Sequence, residues 1–208
     1  MESNQVLLLE GFIIDVINTT ADIFDTSDMT LSSPTLADVW KSQPECEGEG
    51  FTTAKKYRTG EPGLFAFLET LAAIKKPKNQ GPIPESQRLA DGADFLVKAF
   101  GTSHAIGDDV REMSRAGDCY KWMERASGGE KCRRFARGQQ GYYALCPPAA
   151  RGGDKLCLLL GGQTLFCLRP SGDSYLFVGE CYAHGVMDGE ALDMAEKGQL
   201  TQTKFAIR

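Results

Sequence analysis

The chain has 208 residues, 42% hydrophobic and 25% charged, with 28 acids against 23 bases for a net charge of −5. That length fits one large domain or two small ones, and a domain of this size buries enough surface to stand without disulfides or metals. The mildly acidic balance argues against a nucleic-acid groove, and no apolar run reaches the roughly 18 residues of a membrane span.

Residues 6–17 are rich in Val, Leu and Ile and predict a strand interrupted at Gly11. Glu2, Glu10 and Asp15 in this stretch argue against a signal peptide. The polar segment 18–34 reads as loop and ends in Pro34; its Asn18–Thr20 sequon has no consequence in a cytoplasmic protein. Residues 35–41 predict a short helix capped by Thr35, with Leu36, Val39 and Trp40 on one face. Residues 42–60 read as loop. Pro62 suits the first turn of a helix, and Leu64, Phe67, Leu68, Leu71 and Ile74 recur with helical period. The proline-rich stretch 75–85 ends that helix. Ser86 is placed as the cap of a second, with Leu89, Ala93, Leu96 and Phe100 along one side. A third is expected from about Asp108 to Ala126, with Val110, Met113, Ala116, Tyr120 and Met123 facing inward.

After "SGGE" (127–130) the period changes to two. Strands are expected at 132–137, 141–146, 154–160, 164–169 and 174–183, joined by glycine- and proline-bearing turns. A short helix over 189–197 and a last strand at 202–207 follow. Lys131, Arg133, Arg134 and Arg137 read as a solvated strand or turn edge. The seven cysteines include no CxxC pair and read as reduced, mostly buried thiols. A three-residue loop at 161–163 sets Cys157 opposite Cys167. That pair reads as small apolar filler, its alternative being a bridge or a soft-metal site.

"LCLLL" (156–160) is apolar on both faces, whereas a strand with one wet face alternates. One face is expected to meet helices and the other an interior. Short antiparallel strands with glycine at their ends close such an interior as a small barrel. The fold class is therefore α+β, a single domain over 1–208. Its antiparallel β-barrel core spans about 132–208 with strand 6–17, and a helical insertion over about 60–127 packs on it.

The block "GDKLCLLLGGQTLFCLRPSGDSYLFVGECYAHGVMDGEAL" (153–192) resembles the C-terminal region of the fungal heterokaryon incompatibility protein family. The resemblance is carried by the Gly153–Asp154 pair, Gly161–Gly162, "LRP" at 168–170, "VGE" at 178–180, Tyr182, His184–Gly185 and "MDGEA" at 187–191. "CRRFARGQQGYYALCPP" (132–148) and "TGEP" (59–62) are similar to further segments of that family. Ala144 and Cys146 depart from a second strand that is commonly glycine-rich there. The aromatic-rich motif of the family's N-terminal signalling domain is absent, which sets an incompatibility role in doubt. The chain, opening on Met1, reads as a complete small protein.

Several residues have chemistry to offer. Arg169 ends an apolar strand, where a charge needs an acid or a bound anion; Glu180 on the neighbouring strand is the expected acid, a ligand carbonyl or carboxylate the alternative. Tyr182 shares a strand face with Glu180 and His184 and is expected to donate a hydrogen bond into a cavity. His184, paired with Glu180 or Asp188, suits proton transfer near neutral pH; otherwise it is a hydrogen-bonded structural residue, and Asp188 caps a helix. Arg169, Tyr182 and His184 are thus the catalytic candidates, and Glu180, Tyr175, Trp122 and Asp188 the substrate-binding ones. No hydrolase, zincin or phosphate-loop pattern appears, and no cofactor or metal is expected.

Two functions fit these features. The first is a stand-alone, cofactor-free cyclase or isomerase of fungal secondary metabolism, pericyclase-like, that folds a hydrophobic small molecule in an apolar pocket between barrel and helices. The second is a non-catalytic regulatory or interaction module, with a homodimer or a full-length incompatibility protein as its partner. Both place the chain in the cytoplasm, away from nucleic acid and membrane.

Overall fold

A computed structural model describes residues 6–24, 39, 52–72, 83–101, 106–127 and 132–208. The chain divides into two compact units: Met1–Thr20 with Arg134–Arg208, and Ala21–Arg133. No helix among the described residues is long and apolar enough to cross a membrane.

The first unit is built on seven strands: β1 (Leu7–Phe24), β2 (Arg133–Gly138), β3 (Tyr143–Cys146), β4 (Lys155–Leu159), β5 (Leu165–Ser171), β6 (Ser174–Ala183) and β7 (Gln202–Ile207). Their order is β2-β3-β6-β5-β4-β1-β7, with β1 also bonded to β2 and β6 to β7. The pairings therefore close twice. One ring runs β1-β2-β3-β6-β5-β4; the other runs β1-β4-β5-β6-β7 and is sealed by the parallel pair Tyr175 and Ile207. All other pairings with printed register are antiparallel, and the protein is an α+β fold with a small β-barrel.

The apolar-on-both-faces pattern of β4 now has its cause. Leu156 and Leu158 face a core with Ala136 of β2, Ala144 and Cys146 of β3, Cys167, Cys181 and Ala183. Cys157 and Leu159 face a second core with Leu168 and with Phe205 and Ile207 of β7. Both faces of β4 are thus lined by core residues of the strand unit itself. Burial on both sides is what permits a strand to abandon alternation.

β1 is longer than expected and does not break at Gly11. It runs on through 18–24, taken above for loop, and shifts register between Ile13 and Asp15. Gly11 permits close approach instead: a Cβ there would lie 2.1 Å from the Leu158 carbonyl oxygen. The bulge aims Asp15 inward, where it is 1% exposed. Its Oδ1 accepts from the Val16 and Gln140 amides at 2.7 and 3.0 Å, which pins β1 to the β2–β3 turn. Gly138 makes room, since a Cβ there would lie 1.8 Å from Asp15 Oδ2.

The second unit holds α1 (Gly63–Ala72), α2 (Glu85–Phe100), α3 (Asp108–Ser114) and α4 (Cys119–Ser127). Pro62 stands just before α1, and its carbonyl accepts from the Phe65 and Ala66 amides. Pro84, not Ser86, occupies the N-cap position of α2. The single helix expected over 108–126 is two, because Gly117 sits where a Cβ would lie 2.0 Å from the Ala90 carbonyl oxygen of α2. Asp91 and Asp94 of α2 then accept from the Asp118 and Cys119 amides at 3.0 and 2.8 Å and start α4 afresh. The restart changes the buried face: Cys119, Trp122 and Ala126 are inside, and Tyr120, expected inside, is 70% exposed. The helix expected over 35–41 lies outside the described residues except for Val39, which is helical and buried.

Candidate functional site

Arg169 has an acidic partner, but it is Asp154 and not Glu180. The β4–β5 register pairs Lys155 with Leu168, so Asp154 falls opposite Arg169. Arg169 Nε and Nη2 donate to Asp154 Oδ1 and Oδ2 at 2.8 and 2.9 Å, and Nη2 also donates to the Ala149 carbonyl at 2.6 Å. Asp154 is 1% exposed and accepts further from the Arg151 amide at 2.9 Å. The fork thus saturates a buried carboxylate, and its hydrogen bonds to Asp154 hold Arg169 above the ordinary arginine range.

The same register separates the two cysteines that were expected to face. Cys157 pairs with Phe166, and Cys167 with Leu156, so the thiols enter different cores. Burial pushes Cys157 up to about 12. Cys167 is raised further by its hydrogen bond with Cys146 and by burial. These are inert thiols, not nucleophiles. None of the six described cysteines is in a disulfide, and no group of three or more metal-ligating side chains occurs among the described residues.

Tyr182 and His184 do meet: Tyr182 Oη lies 3.0 Å from His184 Nδ1. Yet Cys181 and Ala183 are the β6 residues that face the first core, so Tyr182 points to the opposite side and not into the barrel. Arg169 pairs with Leu176, six residues before Tyr182 along β6, or roughly 20 Å of strand. The three catalytic candidates are therefore not one constellation.

The binding candidates are dispersed as well. Glu180 is exposed, opposite Phe166. Tyr175 packs edge-on against Phe205 with ring centroids 5.2 Å apart, and its hydroxyl accepts from Lys155 Nζ at 3.2 Å. Trp122 belongs to the helical unit, fully buried and stacked on Phe95 at 4.2 Å. Asp188 is exposed and does not cap the last helix, α5 (Glu190–Glu196); Gly189 does, at φ 113°, without a side-chain bond. The Asp188 amide donates instead to Glu190 Oε2 at 2.7 Å.

"HGVMDGE" is a plug. His184 donates its amide to the Tyr143 carbonyl at 3.0 Å, and Gly185, at φ 81°, turns the chain. Val186 and Ala191 then enter the first core, with Met187, Met194 and Leu200 against it. Beside the plug lies a pocket of about 130 Å³ between the β4–β5 turn and α5, lined by Leu158, Leu165, Val186, Met187, Ala191 and Leu192 and the 162–164 turn. Sequence reasoning missed both Asp154 and this pocket. The pocket joins segments about 25 residues apart and left no local signal. Asp154 was legible: the expected register faces Lys155 with Arg169, two like charges, and a one-residue slip replaces that clash with an ion pair.

The fold and site define a small closed β-barrel domain with a helix-plugged end. Residues 109–201 match the family described as the Het-6 beta-barrel domain. Heterokaryon incompatibility protein 6, OR allele, of Neurospora crassa is 38% identical to this chain over 63 residues, which is 28% of the chain and 9% of that protein. The C-terminal region is thus similar to the Het-6 beta-barrel domain, and the chain aligns with less than a tenth of its relative's length. No solved structure matches the chain.

Proposed function

We propose that the chain is a non-catalytic interaction module of the heterokaryon-incompatibility system, with a full-length incompatibility protein as its partner. The observation that carries this reading is that Arg169 is engaged by Asp154 while Tyr182 and His184 lie about six strand residues away, so the three do not converge on one substrate. The match of residues 109–201 to the Het-6 beta-barrel domain and the 63-residue similarity to an incompatibility protein support it. A cofactor-free cyclase of secondary metabolism needs a pocket of about 300 Å³ or more to fold its substrate. The barrel-end pocket, at about 130 Å³, falls short of that. Both barrel cores are filled by buried side chains.

Size-exclusion chromatography with light scattering tests the proposal, using the purified chain mixed with purified heterokaryon incompatibility protein 6. A co-eluting species with the summed mass is expected. Separate elution at concentrations well above micromolar, together with turnover of a hydrophobic polyene by the chain alone, contradicts it.

A further inference from the structure

We infer that the barrel-end pocket is a docking site for one large aliphatic side chain of a partner peptide, flanked in that peptide by Lys or Arg. This rests on the interaction reading above and names the chemistry of the partner.

Size sets the occupant's scale. About 130 Å³ matches a single large side chain and falls below the roughly 300 Å³ of a site for a drug-sized molecule. The walls set its polarity, since Leu158, Leu165, Val186, Met187 and Leu192 surround the space. Leu192 is itself 48% exposed, and Leu160, in the turn that follows β4, is 45% exposed. Apolar side chains left in water around a concave apolar site are the arrangement into which an anchor residue fits.

Charge sets the flanks. The wall from Leu158 to Leu165 has no charged residue. The segment from Val186 to Glu196, of which Val186, Met187, Gly189, Ala191 and Leu192 line the pocket, carries Asp188, Glu190, Asp193 and Glu196, and Lys197 is the first base after it. All four acids are exposed. A cationic flank lowers the cost of approach along this side and an anionic flank raises it, chiefly through rim electrostatics. The turn at 162–164 contributes polar backbone at the pocket's edge, where an extended peptide has its own amides to satisfy.

The test titrates the ¹⁵N-labelled protein with a capped peptide, Gly-Lys-Lys-Leu-Lys-Lys-Gly, and follows backbone amide shifts. Saturable shifts confined to 158–165 and 186–192 are expected. Replacing the peptide's leucine by serine weakens binding by about tenfold or more, the worth of one buried aliphatic side chain. Leu192→Ser, and separately the Glu190→Lys/Asp193→Lys variant, each weaken it severalfold; these exposed positions leave the fold's shift pattern intact elsewhere. Shifts at other sites, equal binding of a glutamate-flanked peptide, or no saturation with any peptide overturns the inference. The two proposals fail separately. If the full-length relative binds the Leu192→Ser protein as well as the parent, the pocket assignment falls and the interaction reading stands. If the peptide binds as described and the relative does not, the reverse holds.

Discussion

The two units handle buried charge differently. In the strand unit Asp15 and Asp154, each 1% exposed, have their oxygens met by backbone amides or by the Arg169 fork. In the helical unit Glu69, Asp91 and Asp94 are also buried, and Arg125 donates to Asp91 at 2.8 Å. There, however, Arg125 Nε and Nη2 and Trp122 Nε1 find no acceptor among the described residues. Buried acids accept from backbone amides in both units, Asp91 and Asp94 from those of Asp118 and Cys119, so the difference lies in the arginines: Arg169 Nε and Nη2 both reach acceptors and Arg125 Nε and Nη2 do not. Arg169 is therefore expected to be a keystone and Arg125 a less satisfied member of a looser network.

The comparison breaks first at Asp154. Replacing Arg169 by Met leaves a buried carboxylate without its counterion and is expected to cost about 3–5 kcal/mol in urea unfolding. Arg125→Met is expected to cost less, because Gln87 Nε2 and the Asp118 amide still donate to Asp91 and the variant removes two unmet donors. Equal losses erase the distinction. Next comes Gly11→Ala, which sets a methyl against the Leu158 backbone and is expected to cost about 1–3 kcal/mol by the same measurement.

A smaller effect depends on pH. Burial raises the Glu69 carboxyl above its ordinary 4.5, with Arg88 and Arg125 pulling it partly back. The folded state then holds this proton more tightly than the unfolded chain does, so Glu69 favours folding at low pH. That contribution is lost as pH rises from about 4.5 through the raised folded value. The stability of the parent relative to Glu69→Gln should fall across that interval and level above it; a rise contradicts the burial. Least in energy, thiol labelling in a Cys46→Ser background should find one fast cysteine, Cys132, and the other five only after unfolding.

Much of the strand unit was legible. The bounds of β6 and β7 coincide with the sequence pattern, because turn glycines and period-two patterning are local properties. The register of β4 on β5 was not, since loop length leaves it open by one residue and only the charges of Asp154 and Arg169 discriminate. In the helical unit the break at Gly117 escaped notice because its cause is tertiary, the carbonyl of Ala90 on another helix. The candidate site fared worst: Arg169, Tyr182 and His184 stand close in sequence order, but a strand's length separates the first from the other two.

Native-state hydrogen exchange bears most directly on the claim that the shared strands carry two filled cores and no compartment. β4 and β5 amides such as those of Leu156, Cys157 and Cys167 should exchange slowest in the strand unit, at rates set by its global unfolding. Exchange of these amides as fast as that of the exposed 160–163 turn would mean that water reaches between the strands, and the account of a packed interaction module would be contradicted.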